Sequence, residues 1–87
     1  MGYFVYILYS TSHKRTYVGQ TQNPKTRLND FHNVGKVRST KAYLPWVKIY
    51  SEEFDTRAKA MEREKWFKSS AGRKLIKKIL QDYLESI

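Results

Sequence analysis

Cysteine is absent from this 87-residue chain. Its absence rules out disulfides, thiolate metal sites and thiol nucleophiles, and leaves carboxylate, imidazole or water to hold any metal. Long apolar runs are missing too: nothing approaches the roughly 20 consecutive apolar residues that a bilayer-spanning helix requires. The opening Met1-Gly2-Tyr3-Phe4 has no basic segment followed by an apolar one. The chain is therefore expected to be soluble, unprocessed and cytoplasmic, with no membrane partner. Internal repeats, low-complexity tracts and linkers are also lacking. A chain of this length buries only about 60 to 65% of its unfolded surface, so a single domain over residues 1–87 is expected.

Acidic residues are scarce, with 8 Asp and Glu against 17 Lys and Arg, a formal net charge of +9. Such a field attracts polyanions and speeds their encounter; nucleic acid is the commonest partner and an acidic membrane surface the rival. A merely solubilising surface would carry the same charge, so the choice between them needs a site.

The run Tyr3 to Tyr9 is unbroken β-branched and aromatic sequence closed by the polar stretch Ser10 to Arg15, as expected for a strand buried on both faces and then a loop. Thr16 to Gln20 reads as a second, shorter strand, close enough for an antiparallel hairpin, and Gly19 suggests a backbone that something approaches closely. Asn23-Pro24 reads as the cap and first turn of a helix running to His32 or Asn33. Asn33 to Pro45 reads as a basic loop. Trp46 to Phe54 predicts a third strand, and Asp55 a cap for a helix to about Ser69, with Ser70-Ala71-Gly72 breaking it. From Arg73 to Ile87, Leu75, Ile76, Ile79, Leu80, Tyr83 and Leu84 recur at helical spacing, leaving Lys74, Lys77 and Lys78 for the other face. The order strand, strand, helix, strand, helix, helix predicts an α+β fold, a small three-stranded antiparallel sheet packed by helices.

Several short motifs stand in a telling order: Val5-Tyr6-Ile7-Leu8, Tyr17-Val18-Gly19, Arg27, His32-Asn33, Ser39-Thr40-Lys41, Pro45-Trp46 and Arg63-Glu64-Lys65. Each is common alone; together, over residues 3–68, they resemble the signature of the GIY-YIG nuclease superfamily, in particular its small single-domain bacterial members. The resemblance implies metal-dependent hydrolysis of nucleic-acid phosphodiesters. Tyr17 would be the general base, Tyr6 its neighbour, Arg27 the phosphate clamp, and Glu64 the ligand of one divalent cation, Mg²⁺ or else Mn²⁺. A phenol titrates near about 10, so Tyr17 could accept a proton at neutral pH only beside positive charge, which Arg27 and the cation would supply. Guanidinium matches phosphate oxygens bidentately. Mg²⁺ keeps much of its water and commonly takes only one or two carboxylates, so one glutamate suffices.

Two departures qualify the resemblance. Phe4 stands where the name-giving glycine would be. The family's histidine usually follows its arginine by four residues, but here that position is Phe31, and His32 lies about 140° from Arg27 on a regular helix. Either a bulge or an early helix end restores His32 to the catalytic set, or it has no catalytic role.

Helical geometry separates Glu64 from Glu62. At about 100° per residue, Glu64 falls inside the apolar arc of Ala60, Met61 and Phe67, while Glu62 points away from it. A carboxylate against the core is costly unless paired or metal-bound. The alternative is a boundary residue bridged to Arg or Lys. Tyr3, Tyr9, Trp46, Tyr50 and Trp66 read as packing residues. Lys36, Arg38 and Lys41 are candidate contacts to a nucleic-acid backbone, DNA more than RNA, with a protein partner for targeting also conceivable. The four residues Tyr6, Tyr17, Arg27 and Glu64 are expected to gather on one concave face. A non-catalytic nucleic-acid-binding module on the same scaffold is the competing function.

Overall fold

Six consecutive buried residues, Val5 to Ser10, require a strand with neighbours on both sides, and the sheet supplies them. The structure is a computed structural model describing residues 2–22 and 45–87. It contains β1 (Tyr3–Ser10), β2 (Arg15–Thr21), β3 (Trp46–Phe54), α1 (Arg57–Phe67) and α2 (Ser70–Glu85). The sheet is antiparallel in the order β2-β1-β3, with the most apolar strand at its centre. The α+β architecture expected from the sequence is thus present. The helix expected from Asn23 and the basic loop after it lie outside the described residues.

The β1–β2 hairpin closes through Ser10, whose carbonyl accepts the Lys14 N–H at 2.8 Å and whose hydroxyl accepts the His13 N–H at 3.2 Å. Lys14 takes a left-handed conformation, φ 54°. On the other edge, β1 and β3 slip register between Ile7 and Leu8: Ile7 faces Tyr50 but Leu8 faces Lys48. This bulge lets the successive residues Ile49 and Tyr50 both pack on the helix-covered side.

Alternation along β1 sorts the core into two clusters. Val5 and Ile7 join Val18, Ala60, Phe67 and Ile76 beneath the helices. Tyr6 and Leu8 turn to the opposite side with Trp46 and the half-buried Tyr17.

The helix boundaries differ from those expected. Thr56, not Asp55, is the N-cap of α1, its hydroxyl accepting the Lys59 N–H at 3.2 Å; Asp55 instead pairs on the surface with Lys59. The helix stops at Phe67, and Ser70-Ala71-Gly72 begins α2 rather than breaking α1. Ser69 is the reason. Its hydroxyl donates to the Trp66 carbonyl at 2.5 Å and accepts the Gly72 N–H at 3.3 Å, closing one helix while capping the next. Gly72 belongs there because a Cβ would lie 2.2 Å from the Trp66 carbonyl oxygen and 2.3 Å from Phe67 Cα. Along α2, Ile76 is buried and Leu75 and Ile79 pack on the core, while Leu84 and Ile87 are exposed, so the apolar stripe is used chiefly in its first half.

Candidate catalytic site

Antiparallel pairing places Tyr6 opposite Gly19 and Leu8 opposite Tyr17, so both tyrosines project from the same side of neighbouring strands. Their ring centroids lie 6.4 Å apart, and Tyr17 also stands 6.3 Å from the Trp46 ring. Trp46 is almost wholly buried, as expected of a packing residue, and backs the pair.

Gly19 explains how the tyrosines fit. A Cβ there would meet the Tyr6 hydroxyl at 2.5 Å, the Tyr6 Cζ at 2.7 Å and a Tyr17 ring carbon at 3.0 Å. The Tyr6 ring therefore lies across the bare backbone of β2, with its hydroxyl over that strand. The close approach expected at Gly19 is made by this ring.

Glu64 is on α1, about 40° from the buried Ala60 and about 60° from the buried Phe67 around the helix. It is 23% exposed and its carboxylate pairs with Lys68 at 3.1 Å. Glu62 is exposed. Arg63 reaches Glu52 on β3, and Glu64 lies on the other side of Ala60 around the helix. Tyr17 lines the same cleft as Lys68, the partner of Glu64. Arg27, His32, Lys36, Arg38 and Lys41 lie outside the described residues.

No motif in the sequence singles out the network that holds α1 in this orientation. The Arg63 guanidinium donates to Glu52 at 2.9 and 3.0 Å, while the Tyr50 hydroxyl donates to the same carboxylate. It also stacks 4.2 Å from the Trp66 ring centroid and 4.7 Å from that of Phe67. Partial burial pushes the Glu52 carboxyl up, but the hydrogen bonds from Arg63 and Tyr50 and the Arg63 charge outweigh it and hold it below its ordinary value. The hydrogen bond to Glu52, then burial, raises the Tyr50 phenol. The signal available in the sequence was alternation, which puts Tyr50 and Glu52 on one side of β3.

The donor set suits a hard cation held largely by water. Among the described residues no three of His, Cys, Asp or Glu cluster as metal ligands, which excludes from them a closed tetrahedral site. A lone, half-buried carboxylate held by a displaceable lysine fits Mg²⁺, which completes its shell with water and substrate phosphate. No helix among the described residues is long and apolar enough to cross a membrane.

The chain is similar to UPF0213 protein YsiG of Lactococcus lactis subsp. lactis (strain IL1403), 40% identical over 93 residues that cover 95% of this chain and 88% of that protein. It is also 41% identical to UPF0213 protein SAG0778 of Streptococcus agalactiae serotype V over 66 residues, 75% of this chain and 73% of the relative. No solved structure matches. The GIY-YIG catalytic domain profile matches residues 2–77, taking in both tyrosine strands, the Glu64 helix and the start of α2, and by that match the chain belongs to the GIY-YIG family.

Proposed function

We propose that this protein is a metal-dependent nuclease that hydrolyses nucleic-acid phosphodiester bonds, acting as a single domain in the cytoplasm, with DNA as the favoured substrate. The observation that carries the reading is the Tyr6 hydroxyl lying over Gly19 beside the Tyr17 ring. Ordinary sheet packing needs no glycine there. The glycine makes room for the Tyr6 ring, which sets the Tyr6 hydroxyl beside the Tyr17 ring.

In this mechanism Tyr17 takes a proton from the attacking water as oxygen bonds to phosphorus and the opposite phosphorus–oxygen bond breaks. Tyr6 orients Tyr17 and the water. Arg27 clamps the non-bridging phosphate oxygens, its fork matching their geometry. His32 would help move the proton. Lys36, Arg38 and Lys41 would hold the flanking backbone. Glu64 would hold Mg²⁺, or Mn²⁺, which when bound stabilises negative charge developing on the phosphate. An i,i+4 pair of this kind contributes only about 0.3 to 0.5 kcal/mol, so Lys68 can yield the carboxylate.

That same lysine supports the second reading, a nucleic-acid-binding module without chemistry in which Glu64 is a boundary residue satisfied by Lys68. One substitution separates the two. Glu64→Gln is expected to keep the fold, to retain or slightly tighten nucleic-acid binding, and to abolish metal-stimulated cleavage of branched, flapped or single-stranded substrates. Glu62→Gln, the same change on the exposed side of the helix, should cleave nearly as wild type. Tight binding with no cleavage by the wild type under any metal would establish the binding module instead.

A further inference from the structure

A second group of basic residues lies, in sequence, outside the segment that carries Lys36, Arg38 and Lys41. Between the β1–β2 turn and the first half of α2 runs a cleft of about 650 Å³, with Lys14, Lys68, Arg73, Lys74 and Lys77 along it and Tyr17 among its walls. We propose that this cleft is a track for the phosphodiester backbone of nucleic acid, carrying the strand to or from the tyrosine pair. The proposal deepens the nuclease reading and rests on it for the direction of the track.

Three observations support it independently of net charge. The first is the placement of charge along α2. Arg73, Lys74 and Lys77 lie in its first half and Lys78 follows directly, with no acidic residue in the first turn, while Asp82 and Glu85 come near its end. A helix prefers the reverse, since its N-terminal end carries partial positive charge. Stability alone would not select this arrangement, but a polyanion bound there would.

The second is the partnering of these cations. Among the described residues Lys14, Arg73, Lys74 and Lys77 form no ion pair with a carboxylate, although α2 carries acids further along. Their charge remains available to phosphate. Lys68 differs: it lines the cleft and also holds Glu64, linking the track to the carboxylate of the catalytic helix.

The third is Lys14. It sits at the hairpin corner at φ 54°, where glycine or asparagine is the economical choice. A lysine kept in a left-handed turn on the rim of a basic cleft is best explained by what its ammonium meets there. Between the cations the floor is apolar, formed by Val18, Phe67 and Ile76, so phosphates would take the rim while the floor accepts sugar or base edges.

The test is binding of fluorescently labelled single-stranded and duplex oligonucleotides, DNA and RNA, across a salt series. It compares the full-length wild type with two triple variants of equal charge loss. Arg73→Ala/Lys74→Ala/Lys77→Ala removes the three α2 cations of the cleft, leaving Lys14 and Lys68; Lys48→Ala/Lys59→Ala/Lys65→Ala removes three exposed cations outside it. Circular dichroism verifies that both fold. The cleft triple should lower the slope of log K against log salt by about two units, at roughly 0.7 to 0.9 for each phosphate that the protein ceases to neutralise, and the control triple by less than one. A weaker grip on either strand form supports the track and identifies the form it holds. Lys14→Gly should raise the urea midpoint yet lower the slope, a combination that a purely structural lysine would not give. Equal slopes in the two triples, or no change in the cleft triple, would overturn the proposal. Cleavage assays keep the two readings apart. A cleft triple that binds and cleaves as wild type refutes the track alone. Cleft-dependent binding without cleavage by the wild type refutes the nuclease alone, and a wild type that binds no nucleic acid refutes both.

Discussion

Replacing Arg63 by alanine is expected to cost about a third of the protein's stability and to reveal how the Glu64 helix is held. At roughly 0.05 to 0.15 kcal/mol per residue, a chain of this size has about 4 to 13 kcal/mol in total. The two Arg63–Glu52 hydrogen bonds join side chains 30% and 20% exposed, so their worth lies between a surface pair below about 1 kcal/mol and a buried charged hydrogen bond at about 1.5 to 3. A pair term of about 1.5 kcal/mol is reasonable. The two ring contacts add about 0.5 to 1 kcal/mol each, giving about 3 in all. Arg63→Lys keeps the charge but loses the fork and the stacking and should cost about half as much. Urea denaturation followed by circular dichroism measures both. The pH dependence has a definite sign. The folded-state value of Glu52 is depressed by its partners, so its contribution is present above the unfolded glutamate value of about 4.3 and is lost as pH falls through the folded value. The Arg63→Ala penalty should therefore shrink toward the stacking term alone as pH falls through the depressed Glu52 value. A penalty below about 0.5 kcal/mol at neutral pH, or one unchanged in acid, would refute this account.

Two glycines make further predictions. Gly19→Ala forces the Tyr6 hydroxyl and Tyr17 ring to move, because the new Cβ meets the ends of side chains rather than backbone. It should cost only about 1 to 2 kcal/mol of stability while reducing cleavage by tenfold or more, since displacement of about 1 Å in a reacting group can cost a hundredfold. Cleavage at the wild-type rate by a folded Gly19→Ala protein would remove the tyrosine pair from the mechanism. Gly72→Ala tests the helix crossing by its sign. Helix propensity alone favours alanine by about 1 kcal/mol, but here the Cβ strikes the Trp66 and Phe67 backbone, so the melting temperature should fall by several degrees, and a rise would show that α1 and α2 are not in that close contact.

Much of the fold could be read from local chemistry. The apolar run of β1, the paired tyrosine motifs on β1 and β2, and the helical stripe from Leu75 onward are period-two and period-3.6 patterns, which depend on near neighbours alone. The same periodicity separated Glu64 from Glu62. Helix ends were legible only approximately: Thr56 and Asp55 are both capping residues, and the choice between them rests on which oxygen reaches the Lys59 N–H. Ser70-Ala71-Gly72 resembles a break until Gly72 is seen to let one backbone cross another. What the tertiary structure alone decided are the meetings between residues distant in the chain. These are the Tyr6 ring over Gly19, the reach of Arg63 across 11 positions to Glu52, and the joining of Lys14 to the α2 cations in one cleft. Strand register, a bulge and the angle of a helix set those distances, and each depends on packing of the whole domain rather than on any local run of residues.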